Sequence, residues 1–249
     1  MNRRAQYLQA LGIDQWTLRA GPPPALHVTQ RPAPAPADAA AGVHAAAIPS
    51  AGGADGRSWQ QLRAEVSDCR KCGLAATRTQ TVFGVGDMQA QVLVIGEAPG
   101  AEEDRQGEPF VGRAGQLLNS MLRALGRPRE TVFIANVLKC RPPGNRDPAP
   151  AEVACCLPYL QRQIALVGPR LILVVGRIAA QNLLATELPI GRLRGQVHRF
   201  GAQQTPLVVT YHPAYLLRSP GEKRRAWTDL KLARSLLVRA GAEFASAER

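Results

Sequence analysis

Gln91–Gly96 reads QVLVIG and runs straight into Glu97-Ala98-Pro99-Gly100. Four consecutive aliphatic residues are too few for a helix, and with no polar residue alternating among them they describe a strand buried on both faces. Three more runs have the same form: Thr131–Val137 (TVFIANV), Arg170–Gly176 (RLILVVG) and Pro206–Tyr211 (PLVVTY). Around them the apolar residues take helical spacing, over 58–68, 114–125, 150–167, from the third strand through Leu184, and over 222–239. The last has Trp227, Leu230 and Leu237 on one face. Strands that alternate with helices predict an α/β fold, a parallel sheet covered on both faces. Ligands in such folds sit beyond the carboxyl ends of the strands, so the loops after these strands are where chemistry is sought.

The 249 residues suit one large domain or two small ones. Residues 5–19 have the marks of a short amphipathic helix (Tyr7, Leu8, Leu11, Trp16), and 21–57 turn to Pro, Ala and Gly with no period. Such a segment buries too little surface to order itself and reads as a flexible linker. The division is therefore 1–57, helix plus linker, and 58–249, the globular domain. Lys and Arg number 31 against 19 acids, a net +12, and 27 of the cations are Arg. The first 57 residues hold five Arg and three Asp, so +10 belongs to the globular part. Guanidinium forks suit phosphate oxygens, which puts nucleic acid first among partners. A GC-rich genome yields the same Arg and Ala abundance, so composition alone leaves both readings open. No run of about 18 apolar residues predicts a membrane span. The first twenty residues lack a continuous apolar segment, so the expectation is a cytoplasmic, nucleoid-associated monomer without a signal peptide.

Five Cys in a reducing compartment point to metal or to no role. Cys69 and Cys72 form a C-x-x-C pair, Cys140 follows, and Cys155 and Cys156 lie on the next helix. Four thiolates suit zinc or an iron–sulfur cluster, and the spacing favours such a four-Cys centre; the alternative is that Cys155 or Cys156 is a small core residue. Three strand-end loops stand out. Gly96–Asp104 (GEAPGAEED) has two glycines that allow close backbone approach, plus several acids, and Phe110 follows between tight turns as core or stacking platform. Asn136 ends the second strand, where its amide suits a base edge, and Arg141–Arg146 (RPPGNR) is a stiff basic turn suited to phosphates. His212 ends the fourth strand before a Pro turn, at the same edge as the other two loops.

Taken together, C-x-x-C at 69–72, GEAPG at 96–100, EPFVGRAGQLL at 108–118, Asn136 through Arg146 and HPAYLLR at 212–218 resemble the family 4 uracil-DNA glycosylases, the iron–sulfur branch of bacteria and archaea. The resemblance runs from about Ser58 to Leu237. It implies a three-layer αβα sandwich around a four-stranded parallel sheet, and an enzyme that flips uracil out of DNA and hydrolyses its glycosidic bond, beginning base excision repair. It also implies a structural [4Fe–4S] cluster on Cys69, Cys72, Cys140 and Cys156, the family spacing selecting Cys156 over Cys155. By the same resemblance His212 stabilises charge on uracil O2, Asn136 reads the uracil edge, Phe110 stacks, and backbone near Glu97 and Ala98 assists. Glu97 handles the attacking water, with Glu103 as an acidic assistant. Arg141, Asn145, Arg146, Leu217 and Arg218 contact DNA. Ala98 stands where some other branches carry Asp or Asn, so the water-activating group is inferred.

Two rival readings follow from the same residues. One is a relative that becomes trapped covalently on its product, which carries a basic loop ending in His after the second motif. Here Asn145-Arg146-Asp147-Pro148 leads directly into the helix. The other is a non-enzymatic iron–sulfur DNA-binding module, against which intact Asn136, Phe110 and His212 argue. The segment 1–57 is expected to dock a replication or repair partner.

Overall fold

A computed structural model describes residues 56–247, with side chains as far as Arg239. The amphipathic helix expected at 5–19 and all but the end of the linker lie outside the described residues. Six strands form one sheet: β1 (Val85–Gly86), β2 (Val92–Gly96), β3 (Phe133–Asn136), β4 (Leu171–Val175), β5 (Val197–Phe200) and β6 (Thr205–Thr210), in the order β1-β3-β2-β4-β6-β5. The four central strands are parallel, as expected from the sequence. Short antiparallel strands were not anticipated at the edges: β1 pairs with β3, and β5 with β6. A two-residue strand and one reading VHRF contain no apolar run, so only their pairing partners reveal them.

The helices are α1 (Trp59–Ser67), α2 (Ala101–Gln106), α3 (Arg113–Leu125), α4 (Pro150–Val167), α5 (Arg177–Leu184), α6 (Ile190–Leu193), α7 (Pro213–Arg218) and α8 (Lys223–Ala247). α1 starts at a Ser58 capping box, with Gln61 N–H donating to Ser58 Oγ and Ser58 N–H to Gln61 Oε1, a device worth about 1 kcal/mol.

Strand periodicity separates two cores. Leu93, Ile95, Phe133, Ala135, Ile172, Val174, Leu207 and Val209 pack on one side with α1, α4 and α5 through Leu62, Leu160, Ile164 and Leu183. Val92, Val94, Ile134, Leu173, Val175 and Val208 pack on the other with α3, α7 and α8 through Leu118, Leu122, Leu216 and Leu230. This is the αβα sandwich, with aliphatic side chains filling most of it. Each fully buried Leu or Ile contributes about 1.5–3 kcal/mol to holding the layers together. The parallel register sets Gly96 beside Asn136, so the ends of β2 and β3 open at one edge with those of β4 and β6.

Candidate active site

A cavity of about 450 Å³ opens at that edge. The strand-end loops bring Glu97, Ala98, Glu103, Phe110, Asn136 and His212 to its wall, with Asn145, Arg146 and Arg218 also lining it. Arg141 and Leu217 are not part of the lining.

Asn136 is 2% exposed at the end of β3. Its Oδ1 is buried without a hydrogen-bond partner. Such an acceptor is costly to keep unless something arrives to donate to it. Close approach here depends on Gly96, because a Cβ at that position would come within 2.4 Å of Asn136 Oδ1 and 2.6 Å of Phe110 Cζ.

Phe110 takes a left-handed backbone conformation, φ 55°, which non-glycine residues seldom adopt. The surroundings enforce it. Arg129 Nη2 donates to Pro109 O at 2.7 Å and Nη1 to Phe110 O at 3.3 Å. The Phe110 ring lies 5.6 Å from the His212 ring, tilted 30°. The two rings thus form adjoining walls rather than a closed stack.

His212 precedes α7 and caps it, its Nδ1 accepting the Ala214 N–H at 3.1 Å. An accepting Nδ1 leaves the neutral ring's proton on Nε2. Burial, and secondarily Arg218, pushes the His212 pKa down to about 4, so the ring is a neutral donor near pH 7. Gly176, at φ 105°, lets the end of β4 pass close by, as a Cβ there would come within 3.2 Å of His212 Cβ and 3.3 Å of its ring carbon Cδ2.

Glu97 lies half-buried beside these groups. Burial first, then Asp147, pushes its pKa up to about 7, while Arg177 opposes the shift. Asp147 and Arg177 are themselves ion-paired at 2.8 Å. Neither was singled out in the sequence, although an acid placed directly after the Arg141–Arg146 turn was a signal that could have marked Asp147. Glu103 is otherwise engaged. Its Oε2 accepts from Gly100 N–H at 3.1 Å and its Oε1 from Val111 N–H at 3.2 Å, so it ties the first loop to the turn carrying Phe110.

The basic turn is built by its own contacts. Gly144 and Asn145 both take left-handed conformations. Arg141 Nε donates to Asn145 Oδ1 at 2.8 Å. Arg146 forms a two-pronged pair with Glu152 at 2.5 and 2.9 Å, anchoring the turn to α4. Arg218, at the rim, makes no hydrogen bond or ion pair among the described residues.

Below the β3 end, Cys140 and Cys156 are buried, while Cys69 and Cys72 are half-buried against the same core. Arg78 Nη1 donates to Cys140 Sγ at 3.0 Å. Burial pushes the Cys140 thiol up and Cys156 up to about 11. The Lys139 backbone N–H opposes the second shift by bonding to Cys156. Cys155 turns outward and its Sγ bonds to Lys71 O at 3.3 Å. Among the described residues no three His, Cys, Asp or Glu side chains stand close enough to share a single ion. Lys139, buried among these groups, was not noticed in the sequence. Its charge inside the otherwise apolar run Val137-Leu138-Lys139-Cys140 was the available signal.

An amide held open at a strand end, an aromatic wall and a neutral imidazole donor are the means by which a protein grips a planar heterocycle with polar edges. Comparison with known proteins gives that class its family: the chain belongs to the uracil DNA glycosylase superfamily, whose description matches residues 83–231. Similar proteins include several type-4 uracil-DNA glycosylases. That of Archaeoglobus fulgidus is 47% identical over 174 residues, 67% of this chain and 87% of the relative. That of Pyrobaculum aerophilum is 44% identical over 181 residues, 70% and 91%. That of Sulfurisphaera tokodaii is 39% identical over 188 residues, 73% and 86%.

Proposed function

We propose that this chain is a type-4 uracil-DNA glycosylase that takes uracil out of the DNA stack and hydrolyses the bond between deoxyribose C1′ and uracil N1. The abasic site it leaves begins base excision repair. The observation that carries the reading is the buried, unpartnered Asn136 Oδ1 beside Phe110 and His212. Oδ1 accepts from uracil N3–H while the amide nitrogen donates to O4. Cytosine presents an unprotonated N3 and an amino group there, so both contacts become mismatched. Phe110 covers the ring face.

As the glycosidic bond lengthens, negative charge gathers on uracil O2 and positive charge on the sugar. His212 Nε2–H donates to O2, a contact that strengthens as charge develops. Ionised Glu97 takes a proton from the attacking water and faces the cationic sugar. Glu103 acts by holding the Phe110 turn. Arg218 and Arg141 contact phosphates, Asn145 and Leu217 support the strand beside the extruded nucleotide, and Arg146 shapes the turn.

Cys69, Cys72, Cys140 and Cys156 would hold a [4Fe–4S] cluster. The residues suit it: donors from Arg78 and the Lys139 backbone aim at sulfur, and buried thiols with raised pKa are deprotonated when metal binds them. Each thiolate of such a cluster binds its own iron, so the sulfurs stand farther apart than around a single ion. When bound, the cluster ties the segment before the sheet to the loop after β3.

The test is a labelled oligonucleotide with one uracil, scored by alkali cleavage, with iron and the brown absorbance measured on the same anaerobic sample. Cleavage with iron is expected. Iron without cleavage would support the DNA-binding module, and an adduct surviving denaturing electrophoresis would support the covalently trapped relative.

Glu97 sets an expected pH profile. Its base form is depleted as pH falls through about 7, so single-turnover excision drops about tenfold per pH unit below that point and levels off above it. Glu97→Gln removes that limb. A profile flat from the acid side, or unchanged by Glu97→Gln, would assign the water to another group.

A further inference from the structure

Arg129 holds two successive backbone carbonyls in one fork. Its Nη2 donates to Pro109 O at 2.7 Å and its Nη1 to Phe110 O at 3.3 Å, while Nη1 also reaches Asn119 Oδ1 of α3 at 3.3 Å. Arg129 opens the 3₁₀ turn Arg129–Thr131 directly before β3, so its guanidinium ties the sheet to the link between α2 and α3. The peptide it grips is gripped from the other side as well, because Val111 N–H donates to Glu103 Oε1 at 3.2 Å. One peptide unit, Phe110 C=O with Val111 N–H, is therefore fixed by a guanidinium on its oxygen and a carboxylate on its N–H. Gly115 of α3 makes room for it, since a Cβ there would lie 1.8 Å from Phe110 O.

The conformation so fixed is one that a residue with a side chain disfavours. Phe110 sits at φ 55°, where a Cβ crowds its own backbone. Rotation of that peptide would return Phe110 to the extended region and swing its ring, which lies 5.6 Å from the His212 ring with its tip against Gly96. Arg129 is not part of the cavity wall. Its influence on a bound base therefore passes through the Phe110 ring.

We propose that Arg129 is a positioning residue for base excision: it locks the Phe110–Val111 peptide in the left-handed turn and so sets the wall against which the extruded uracil stacks. The proposal rests on the glycosylase reading given above. The planar fork matters, because two adjacent carbonyls are matched by two nitrogens in fixed geometry, which the single nitrogen of a lysine does not supply.

The experiment is a double-mutant cycle on the full-length protein: wild type, Arg129→Met, Phe110→Ala and the two combined, with Arg129→Lys as the conservative variant. Single-turnover excision of uracil is measured, together with the salt dependence of affinity for abasic product DNA. Phe110→Ala is expected to lose about 10- to 100-fold in excision, the worth of one base–aromatic stack. Arg129→Met is expected to lose about tenfold, as small misplacements at a site cost that much or more. Arg129→Lys is expected to lose less, because its ammonium still donates to one carbonyl. In the Phe110→Ala background, Arg129→Met is expected to add less than about twofold, since its partner in the effect is gone. The slope of log affinity against log salt should match wild type, because Arg129 meets carbonyls and not phosphate. Normal excision by Arg129→Met overturns the proposal, as does equal slowing in both backgrounds. A salt slope reduced by about one overturns it too, by making Arg129 a phosphate contact. Arg129→Lys, alone and with Phe110→Ala, carries the cycle if Arg129→Met does not fold. Wild type that excises no uracil overturns the glycosylase reading and this proposal with it, whereas an active wild type without coupling between the two positions overturns the proposal alone.

Discussion

His212→Ala slows single-turnover uracil excision by about 10²–10³-fold, the loss that follows removal of one preorganised donor to a developing oxyanion. The reason lies in the tautomer. Nδ1 is occupied as acceptor of the Ala214 N–H, so Nε2 carries the proton. With its pKa pushed down to about 4 by burial, the ring is neutral at working pH. A neutral imidazole donates weakly to neutral uracil and more strongly as charge reaches O2, which favours the transition state over the bound base. The loss should therefore fall on kcat with little change in KM. It should also be the same from about pH 6 to pH 9, since the ring does not titrate there. A loss that grows or shrinks through neutral pH would mean that His212 acts as a protonated acid, contrary to the assignment. Near-normal excision at every pH would remove it from the site.

Asn136→Ala is expected to lower discrimination of uracil from cytosine by about 10- to 100-fold, the worth of one good bidentate base contact. The uracil rate falls along with it. Stability should move differently. In the free protein Oδ1 is buried with no donor, an arrangement that costs about 1–3 kcal/mol. Its removal, at the wall of an open cavity that water can refill, is expected to leave Tm unchanged or to raise it. A residue retained for folding would do the opposite. Competition assays with uracil- and cytosine-containing oligonucleotides, alongside thermal melts, check both halves. A lowered Tm with intact discrimination would recast Asn136 as structural.

Much of this was legible in the chain. Runs such as QVLVIG and RLILVVG have no polar side to present to water, so burial on both faces and a parallel sheet followed directly. The residues that punctuate the strand ends, Gly96, Asn136 and His212, fell at one edge for the same reason. What escaped were elements and contacts with no periodic signature. The edge strands β1 and β5 exist through pairing with β3 and β6. The backbone N–H groups from two different loops that donate to Glu103 have no signature along the chain. Nor does the pair that Arg146 forms with Glu152 of α4. Arg129, Asp147 and Lys139 drew no notice because each acts on a partner brought near by the fold.

The chain by itself determined the layer architecture, the order of the strand-end motifs and the residue types at the cavity, since these depend on hydrophobic period and local turn chemistry. Only the tertiary structure decided which polar groups are consumed and which stay open. Hydrogen bonding and desolvation are properties of neighbours in space: they leave Asn136 Oδ1 unpaired, bring Glu97 to about 7 and His212 to about 4, and bond the buried ammonium of Lys139 to the Asn136 carbonyl and to Gln163.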